Sequence, residues 1–509
     1  MINAFSNMFR FVNSRCVFAC LFATALLLGA PSKGPAAEKT RPNVLFIMAD
    51  DLNNSEGCYN HPLVKTPNID RLAERGMRFE HAYCQYPLCG PSRNSLLTGL
   101  YPNSTGILEN CLIFRQTIPK HVPLPQAFRL QGYFAGRIGK LYHYNVPNSV
   151  GTIGHDDPGS WELEMNPAGC DRLLEESDIF SLIPGSYGAT LSWYASPRGD
   201  LQHTDGMLAS DGIWVLERCA RQKDRPFFLA VGFFRPHLPF VAPKPYFDHY
   251  PTEQIPLVQG VEEDRKDMPP LAYACGKKEQ DEMSDDLRRQ AIQAYFASIT
   301  FMDAQVGRMI DALDRLGLAD NTIIVFTSDH GYHLGEHGLW QKRSLFEESA
   351  RVPLIIAAPG VGKKGTVARV PVGLVDVYPT LAELCDIPTP DNLQGQSLVP
   401  MLKNPEHLGR GWAFTEVTRQ FGERKVFGCT LRVPGWRYTE WDEGRQGREL
   451  YDHEHDPLEQ NNLASDPAQA DRIRRLSAQL AAAVKGSYPK SGKVPPIRED
   501  VWAPNLTNP

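Results

Sequence analysis

Val44-Leu45-Phe46-Ile47-Met48-Ala49-Asp50-Asp51 is the stretch that sets the reading of this chain. Six apolar residues in a row have the length of a strand buried on both faces, and two adjacent carboxylates stop it. Similar runs recur downstream, and each leads into polar residues. Phe227-Phe228-Leu229-Ala230-Val231 runs on towards Arg235-Pro236-His237, and Thr322-Ile323-Ile324-Val325-Phe326 towards Ser328-Asp329-His330. Val352-Pro353-Leu354-Ile355-Ile356 is a fourth candidate, although Pro353 suits an edge strand or a strand start.

Helical patterns separate these strands. Thr66-Pro67 reads as the cap and first turn of a helix that Gly76 closes. Ile292, Tyr295, Ile299, Met302, Val306, Met309, Leu313 and Leu316 recur at three or four residues, with Gly317 as the stop. One face of that helix is expected on the sheet. The alternation predicts an α/β fold, with a large, mostly parallel or mixed sheet sandwiched by helices. From about Gly411 the pattern shifts to short strands near 425–433, 435–441 and 449–451, then a helix near 471–485. The expected division is a signal peptide over 1–37, a catalytic domain over 38–410 and a smaller C-terminal α+β subdomain over 411–509. The irregular stretches 145–204 and 243–270 are expected to shape a substrate pocket.

Composition narrows the function. A chain of 509 residues with 42% hydrophobic residues can bury a large core without disulfide staples. Against 59 Asp and Glu stand 53 Lys and Arg, a net charge of −6, which argues against nucleic acid as a partner. Arg10 and Arg15 precede an apolar run over 16–28, and small residues follow to Ala37, the pattern of a secretory signal. No later segment reaches the ~18 apolar residues of a membrane span. An exported protein without stable membrane insertion is therefore expected, periplasmic or secreted, or in a lysosome-like compartment in a eukaryote. Nine of the 11 cysteines lie beyond residue 37, scattered and without a C-x-x-C pair. Several are expected as buried free thiols.

The strand ends carry the chemistry. In open α/β sheets, ligands sit outside the carboxyl ends of the strands, so Asp50-Asp51, Lys140 with His143, His237 and Asp329-His330 should converge. Several carboxylate oxygens and one imidazole suit Ca²⁺ or Mg²⁺ better than zinc. By itself an Asp-Asp pair serves equally as a turn or a helix cap.

Cys89-Gly90-Pro91-Ser92-Arg93 is the decisive motif. A helix reads from Ser92 onward, which puts residue 89 at a helix N-terminus, where free N–H groups and the dipole favour an anion. Arg93, one turn in, can reach back to the same place. A lone cysteine here would serve as well as a buried thiol or a partner for Cys84.

This C-x-P-x-R pattern, followed by Leu96-Leu97-Thr98-Gly99, resembles the signature of the sulfatase family. Pro42-Asn43-Val44, Thr66-Pro67-Asn68-Ile69-Asp70, Gly139-Lys140, Pro236-His237, Thr327-Ser328-Asp329-His330-Gly331 and Gly335-Glu336-His337-Gly338 fall in the family's order. The resemblance covers nearly all of 42–465. Phe228-Leu229-Ala230-Val231-Gly232, Tyr295-Phe296-Ala297-Ser298 and Asp303-Ala304-Gln305-Val306-Gly307-Arg308 place it nearest the iduronate-2-sulfatase branch, which also has His at the position of His330.

The resemblance implies an alkaline-phosphatase-like fold and conversion of Cys89 to formylglycine by a formylglycine-generating maturation enzyme. One hydroxyl of the hydrated aldehyde would attack sulfur with help from Asp329, and the other would later drive sulfate release with His143 as base. Arg93 would hold residue 89, Lys140 and Lys342 would neutralise the sulfate oxygens, and His237 with Lys342 would protonate the leaving oxygen. Asp50, Asp51, Asp329 and His330 would bind Ca²⁺ together with residue 89. The implied substrate is a sulfated carbohydrate such as the 2-O-sulfated uronate of a polysaccharide. His333 and His337 are expected to pack loops. Two alternatives stay open: a phosphonate monoester or phosphodiester hydrolase using the same aldehyde, and a catalytically silent glycan-binding relative.

Overall fold

β1 (Asn43–Ala49) is buried along its whole length, as its unbroken apolar run requires. In the computed structural model, which describes residues 41–498, it lies inside an eight-stranded sheet. The signal peptide expected over 1–37 falls outside the described residues. The other strands are β2 (Met77–Phe79), β3 (Phe134–Gly139), β4 (Leu163–Met165), β5 (Phe227–Gly232), β6 (Thr322–Ser328), β7 (Leu354–Ala357) and β8 (Thr366–Ala368). Their order is β8-β2-β7-β6-β1-β5-β3-β4. β1 pairs in parallel with β6 and β5, Phe46 standing between Val325 and Ala230. Only β7 runs against the rest, so the sheet is mixed. Pro353 precedes β7 and marks a strand start; β7 is an interior strand, between β6 and β2.

Helices cover both faces. α1 (Pro67–Arg75), α2 (Cys89–Thr98), α3 (Thr204–Arg221) and α4 (Asp285–Arg315) are the ones that matter for the site. Leu45, Ile47 and Ala49 pack into one core with Leu208 of α3 and Ile299, Met302 and Val306 of α4. Val44, Phe46 and Met48 face the other way, into a core with Leu96 and Leu97 of α2. Full burial of each such side chain contributes roughly 1.5–3 kcal/mol. The spacing on α4 is thus the sheet-packing face, and Gly317 beyond it takes a left-handed φ of +66°.

α1 begins as its Pro and ends at Gly76, but Thr66 does not cap it with its side chain. The Thr66 hydroxyl accepts from the Gly57 N–H at 2.8 Å. Asp303 of α4 caps α1 in its place, accepting the backbone N–H groups of Asn68 (3.1 Å) and Ile69 (2.8 Å).

β9 (Ala413–Phe421), β10 (Arg424–Val433), β11 (Trp436–Trp441) and β12 (Arg448–Asp452) form the smaller C-terminal antiparallel sheet, paired in chain order. α5 (Ala470–Ser487) lays Leu476, Leu480 and Ala483 against its Phe414, Leu431, Tyr438 and Leu450. All nine described cysteines are free thiols, so Cys84 and Cys89 are not bridged. Among the described residues, no helix is long and apolar enough to cross a membrane.

Candidate active site

Asp50 and Asp51 follow β1 at the carboxyl edge of the sheet, beside Asp329 and His330 at the end of the parallel neighbour β6. Asp51 holds a left-handed backbone, φ +66°, a conformation uncommon outside glycine and frequent at functional sites. It is fixed from both sides. Its N–H donates to Asp329 Oδ1 (3.1 Å), and its carbonyl accepts the Tyr295 hydroxyl (2.7 Å) from α4.

Cys89 is the first residue of α2, and all ten residues of that helix are buried. The Gly90 N–H donates to Asn110 Oδ1 at 2.8 Å, and a Cβ on Gly90 would stand 3.1 Å from the Asn110 Cα and 3.2 Å from the Glu109 carbonyl oxygen, a tight fit against backbone that favours glycine. Arg93 lies one turn further in and is fully buried. Its Nε donates to Asp329 Oδ2 (2.8 Å), its Nη2 to Asp50 Oδ1 (3.0 Å), and its Nη1 to the Lys140 carbonyl (2.7 Å). Ser92 Oγ donates to the Asp329 carbonyl. Arg93 therefore reaches the carboxylates around residue 89 rather than the Cys89 side chain itself.

The Cys89 sulfur is 3.2 Å from Lys342 Nζ, 3.3 Å from His330 Nε2 and 3.9 Å from Asp51 Oδ1. Lys342 also bonds both Asp51 oxygens, at 2.7 and 3.0 Å. Lys140 Nζ lies 2.5 Å from Asp50 Oδ2, and His237 Nε2 lies 3.9 Å from Asp51 Oδ2. His143 is buried beside them, and neither ring nitrogen has a hydrogen-bond partner of ordinary geometry. A cavity of about 410 Å³ opens onto this cluster, with Asp51, Asn110, His143, His237, Tyr332 and Lys342 in its wall.

Every site residue expected from the sequence is brought to one place, with two differences in position. Arg93 and Lys140 are fully buried behind the cavity wall and meet the acids, so Lys140 acts on Asp50 where direct contact with a substrate oxygen was expected. Residues 145–148 and 185–189 do line the cavity, but 243–270 does not; it borders other grooves. His333 and His337 pack loops, bonding Ser344 Oγ (2.6 Å) and Asp264 Oδ2 (2.9 Å). The sequence reading missed the role of Tyr295, which it used as a helix-face position and as part of a family motif, and it missed Asn110, which carries no periodic signal.

Burial sets the electrostatics, and paired charges then decide each group. Burial would raise Asp50, but Lys140, His237 and Arg93 hold it well below the usual carboxylate range. Asp329 is pushed up to about 6 by burial, opposed by Arg93 and His330. Burial also disfavours the Cys89 thiolate, yet Lys140, Lys342 and His330 outweigh it and hold the thiol well below its ordinary value. Burial would lower His330, but Asp329, Cys89 and Asp51 raise it to about 9. His143 drops to about 4 through burial, which leaves it neutral at pH 7.

Ligating atoms of Asp51, Cys89, Asp329 and His330 lie within 4.8 Å of one another, as do those of Asp50, Asp51, Cys89 and His237. Three carboxylates supply hard oxygens, so the donor set fits a divalent cation such as Ca²⁺. The segment that carries Lys342 is held from the C-terminal sheet. Arg419 Nη2 donates to the Arg343 carbonyl (2.5 Å), Arg437 Nη1 donates to the Leu345 carbonyl (2.6 Å), and Glu459 Oε2 accepts the Glu347 N–H (3.0 Å).

A mixed α/β sheet that gathers acids, imidazoles and lysines around a cysteine at a helix N-terminus is an arrangement suited to hydrolysing anionic esters. The chain belongs to the sulfatase family, whose model, described as Sulfatase, matches residues 42–387. A second model, N-sulphoglucosamine sulphohydrolase, C-terminal, matches 335–486. A sulfatase of Formosa agariphila is 36% identical, the match covering 87% of each chain. Human iduronate 2-sulfatase is 31% identical, covering 85% of this chain and 93% of its own. Among solved structures, the phosphonate monoester hydrolase of Agrobacterium radiobacter aligns with a TM-score of 0.73 at 25% identity, over 88% of this chain and 97% of that one. The fold is thus the alkaline-phosphatase-like one, and the activity is hydrolysis of sulfate esters.

Proposed function

We propose that the chain removes sulfate from a sulfated sugar, with residue 89 acting as formylglycine and Ca²⁺ as its metal. One observation carries this reading. The Cys89 sulfur stands at a buried helix N-terminus, with Lys342 at 3.2 Å and His330 at 3.3 Å, directly behind Asp51 and Lys342 in the wall of a cavity of about 410 Å³. The sulfur marks where an oxygen of the modified residue would stand. As formylglycine hydrate, residue 89 would supply a hydroxyl oxygen to bond to sulfur as the bond from sulfur to the sugar oxygen breaks, its proton passing to Asp329. Asp50, Asp51, Asp329 and His330, with residue 89, would hold Ca²⁺, which when bound supplies a fixed positive charge beside the sulfate.

The chain's own residues do the rest. Lys342 Nζ neutralises sulfate oxygens as charge builds on them, and Lys140, behind Asp50, adds positive potential from the buried side. His237 Nδ1 is committed to the Leu238 carbonyl at 2.6 Å, which leaves Nε2 to deliver a proton to the leaving sugar oxygen. His143, neutral and with no hydrogen-bond partner of ordinary geometry on either ring nitrogen, would take the proton of the second hydroxyl of residue 89, whose loss drives sulfate release. Arg93 keeps Asp50 and Asp329 apart and oriented.

The likeness to iduronate 2-sulfatase supports a 2-O-sulfated uronate of a polysaccharide as substrate. The charged, apolar and small-residue pattern of residues 1–37 supports export. A formylglycine-generating enzyme would be the maturation partner. The test is turnover of an aryl sulfate by protein from a host with that enzyme, with mass analysis of the Cys89 peptide. Sulfatase activity together with an aldehyde at residue 89 is expected. A second reading, phosphonate monoester hydrolysis, is favoured by the fold match at a TM-score of 0.73. Faster turnover of an aryl phosphonate than of the aryl sulfate would replace the first reading with this one.

A further inference from the structure

The cavity wall carries more positive charge than the sulfate position uses. Lys277 and Arg343 line it beyond Lys342. Neither has a carboxylate partner among the described residues. The Arg343 guanidinium makes no hydrogen bond or ion pair there, and Lys277 Nζ donates only to the Ala189 carbonyl. The acids in the same wall are already matched: Asp51 is bound by Lys342, and Glu176 is paired with Arg172.

Two half-buried cations in one cavity wall repel each other and lose hydration, so a folded chain keeps them there only at a cost in stability. The Lys277 ammonium is accordingly pushed below its usual value, by burial first and then by Lys342 and Arg343, with Glu279 offsetting part of this. Arg343 also sits in the left-handed region, φ +75°, where a branched or long side chain is uncommon. Its backbone is fixed there by two bonds, its N–H to the Pro87 carbonyl at 3.1 Å and its carbonyl to Arg419. Strain of this kind, on a residue with a free charged head at a cavity wall, marks a functional position.

We propose that Lys277 and Arg343 form a second anion subsite, which binds a carboxylate on the same sugar that presents the scissile ester. This rests on the reading of residue 89 as the sulfate-ester centre, and it narrows the substrate class to dianionic or polyanionic sugars. The planar guanidinium suits a carboxylate held by two parallel N–H bonds, and the lysine adds a point charge. A substrate with only one negative group would leave both cations unpaired.

The experiment compares three probes on the matured enzyme: a 2-O-sulfated uronate disaccharide, its carboxylate methyl ester, and 4-nitrophenyl sulfate. Wild type should prefer the free acid over the ester by tenfold or more in kcat/KM. Lys277→Met with Arg343→Asn, a pair that keeps the lysine stem and tolerates the left-handed backbone, should abolish that preference through KM. Turnover of 4-nitrophenyl sulfate and the melting temperature should stay close to wild type. Lys277→Arg should retain the preference. Equal use of acid and ester by wild type, no turnover of either disaccharide by an enzyme active on the aryl sulfate, or an unchanged preference in the double variant would each overturn the subsite. Loss of aryl sulfate turnover in the double variant to the same extent as disaccharide turnover would overturn it too. Wild type inactive on 4-nitrophenyl sulfate would instead strike at the sulfate-ester reading itself.

Discussion

Arg93 Nε donates to Asp329 Oδ2 at 2.8 Å, with both side chains fully buried. An ion pair removed from water in this way is costly to break, because the surviving charge has no solvent to turn to. Arg93→Met should therefore destabilise the fold by about 3–5 kcal/mol in urea titrations. Arg93→Lys should fail as well, since one ammonium cannot serve Asp50, Asp329 and the Lys140 carbonyl at once. A variant with a wild-type urea midpoint would show that the pair contributes little.

Cys89→Ala should separate chemistry from stability. Residue 89 is small, and without its side chain Lys342 and Lys140 still have Asp51 and Asp50 as partners, so melting should shift by a few degrees at most. Sulfatase activity should fall below detection, and an aldehyde-reactive hydrazide should no longer label the protein. Residual activity above about a thousandth of wild type would mean that residue 89 is not the nucleophile.

The role given to His237 predicts a dependence on the leaving group. His237→Gln should slow an alkyl sulfate by about 10²–10⁴-fold, the usual contribution of a general acid. The same change should slow 4-nitrophenyl sulfate, whose phenolate needs no proton to depart, by roughly tenfold or less. Equal losses on both substrates would remove His237 from the proton-transfer step.

Metal removal should silence the enzyme without erasing its modification. Dialysis against a chelator is expected to abolish turnover and lower the melting temperature, because Asp50, Asp51 and Asp329 then face one another with no divalent charge to offset them, only Arg93, Lys140, Lys342, His237 and His330. Added Ca²⁺ should restore both. Full activity after exhaustive chelation would end the metal assignment.

Glu416 on β9 sets a stability slope with pH. It is buried, and burial pushes it up to about 8, with the Asn103 amide at 2.7 Å opposing the shift. Because its folded value lies above its unfolded one, the group stabilises the fold fully below about pH 4.5 and loses that contribution as pH rises through about 8. Glu416→Gln keeps an oxygen for Asn103 and should be more stable than wild type at pH 9 by roughly 2 kcal/mol, with little gain at pH 4. Parallel pH profiles of the two proteins would refute the assignment.

Much of this was legible in the sequence, for a definite reason. Strands buried on both faces must be apolar at every position, so β1, β5 and β6 announced themselves, and polar residues just beyond them had to emerge on one edge. α4 showed its sheet-facing side through a regular three-or-four spacing. The interior placement of β7 was hidden because Pro353 gave an edge-like signal while preceding the strand. The cap of α1 was hidden because Asp303 lies 235 residues from Asn68. Lys277, Arg343 and Asn110 sit in irregular segments, where no period distinguishes a cavity wall from an ordinary surface. Lys140 and His143 stood out by their strand-end position but owed their assigned roles to family resemblance, and Lys342 owed both its choice and its role to it.

The three bonds that tie Arg343, Leu345 and Glu347 to Arg419, Arg437 and Glu459 carry a consequence for how such a protein can change. The C-terminal sheet is part of the scaffold that aims Lys342, so it cannot be exchanged as a cassette between relatives unless those two guanidinium groups and the Glu459 carboxylate travel with it. Substitutions far from the cavity, on β9 or β11, can retune the position of a lysine at the sulfate without touching any group that meets the substrate. Selection for a new sugar thus has a remote dial as well as the pocket itself.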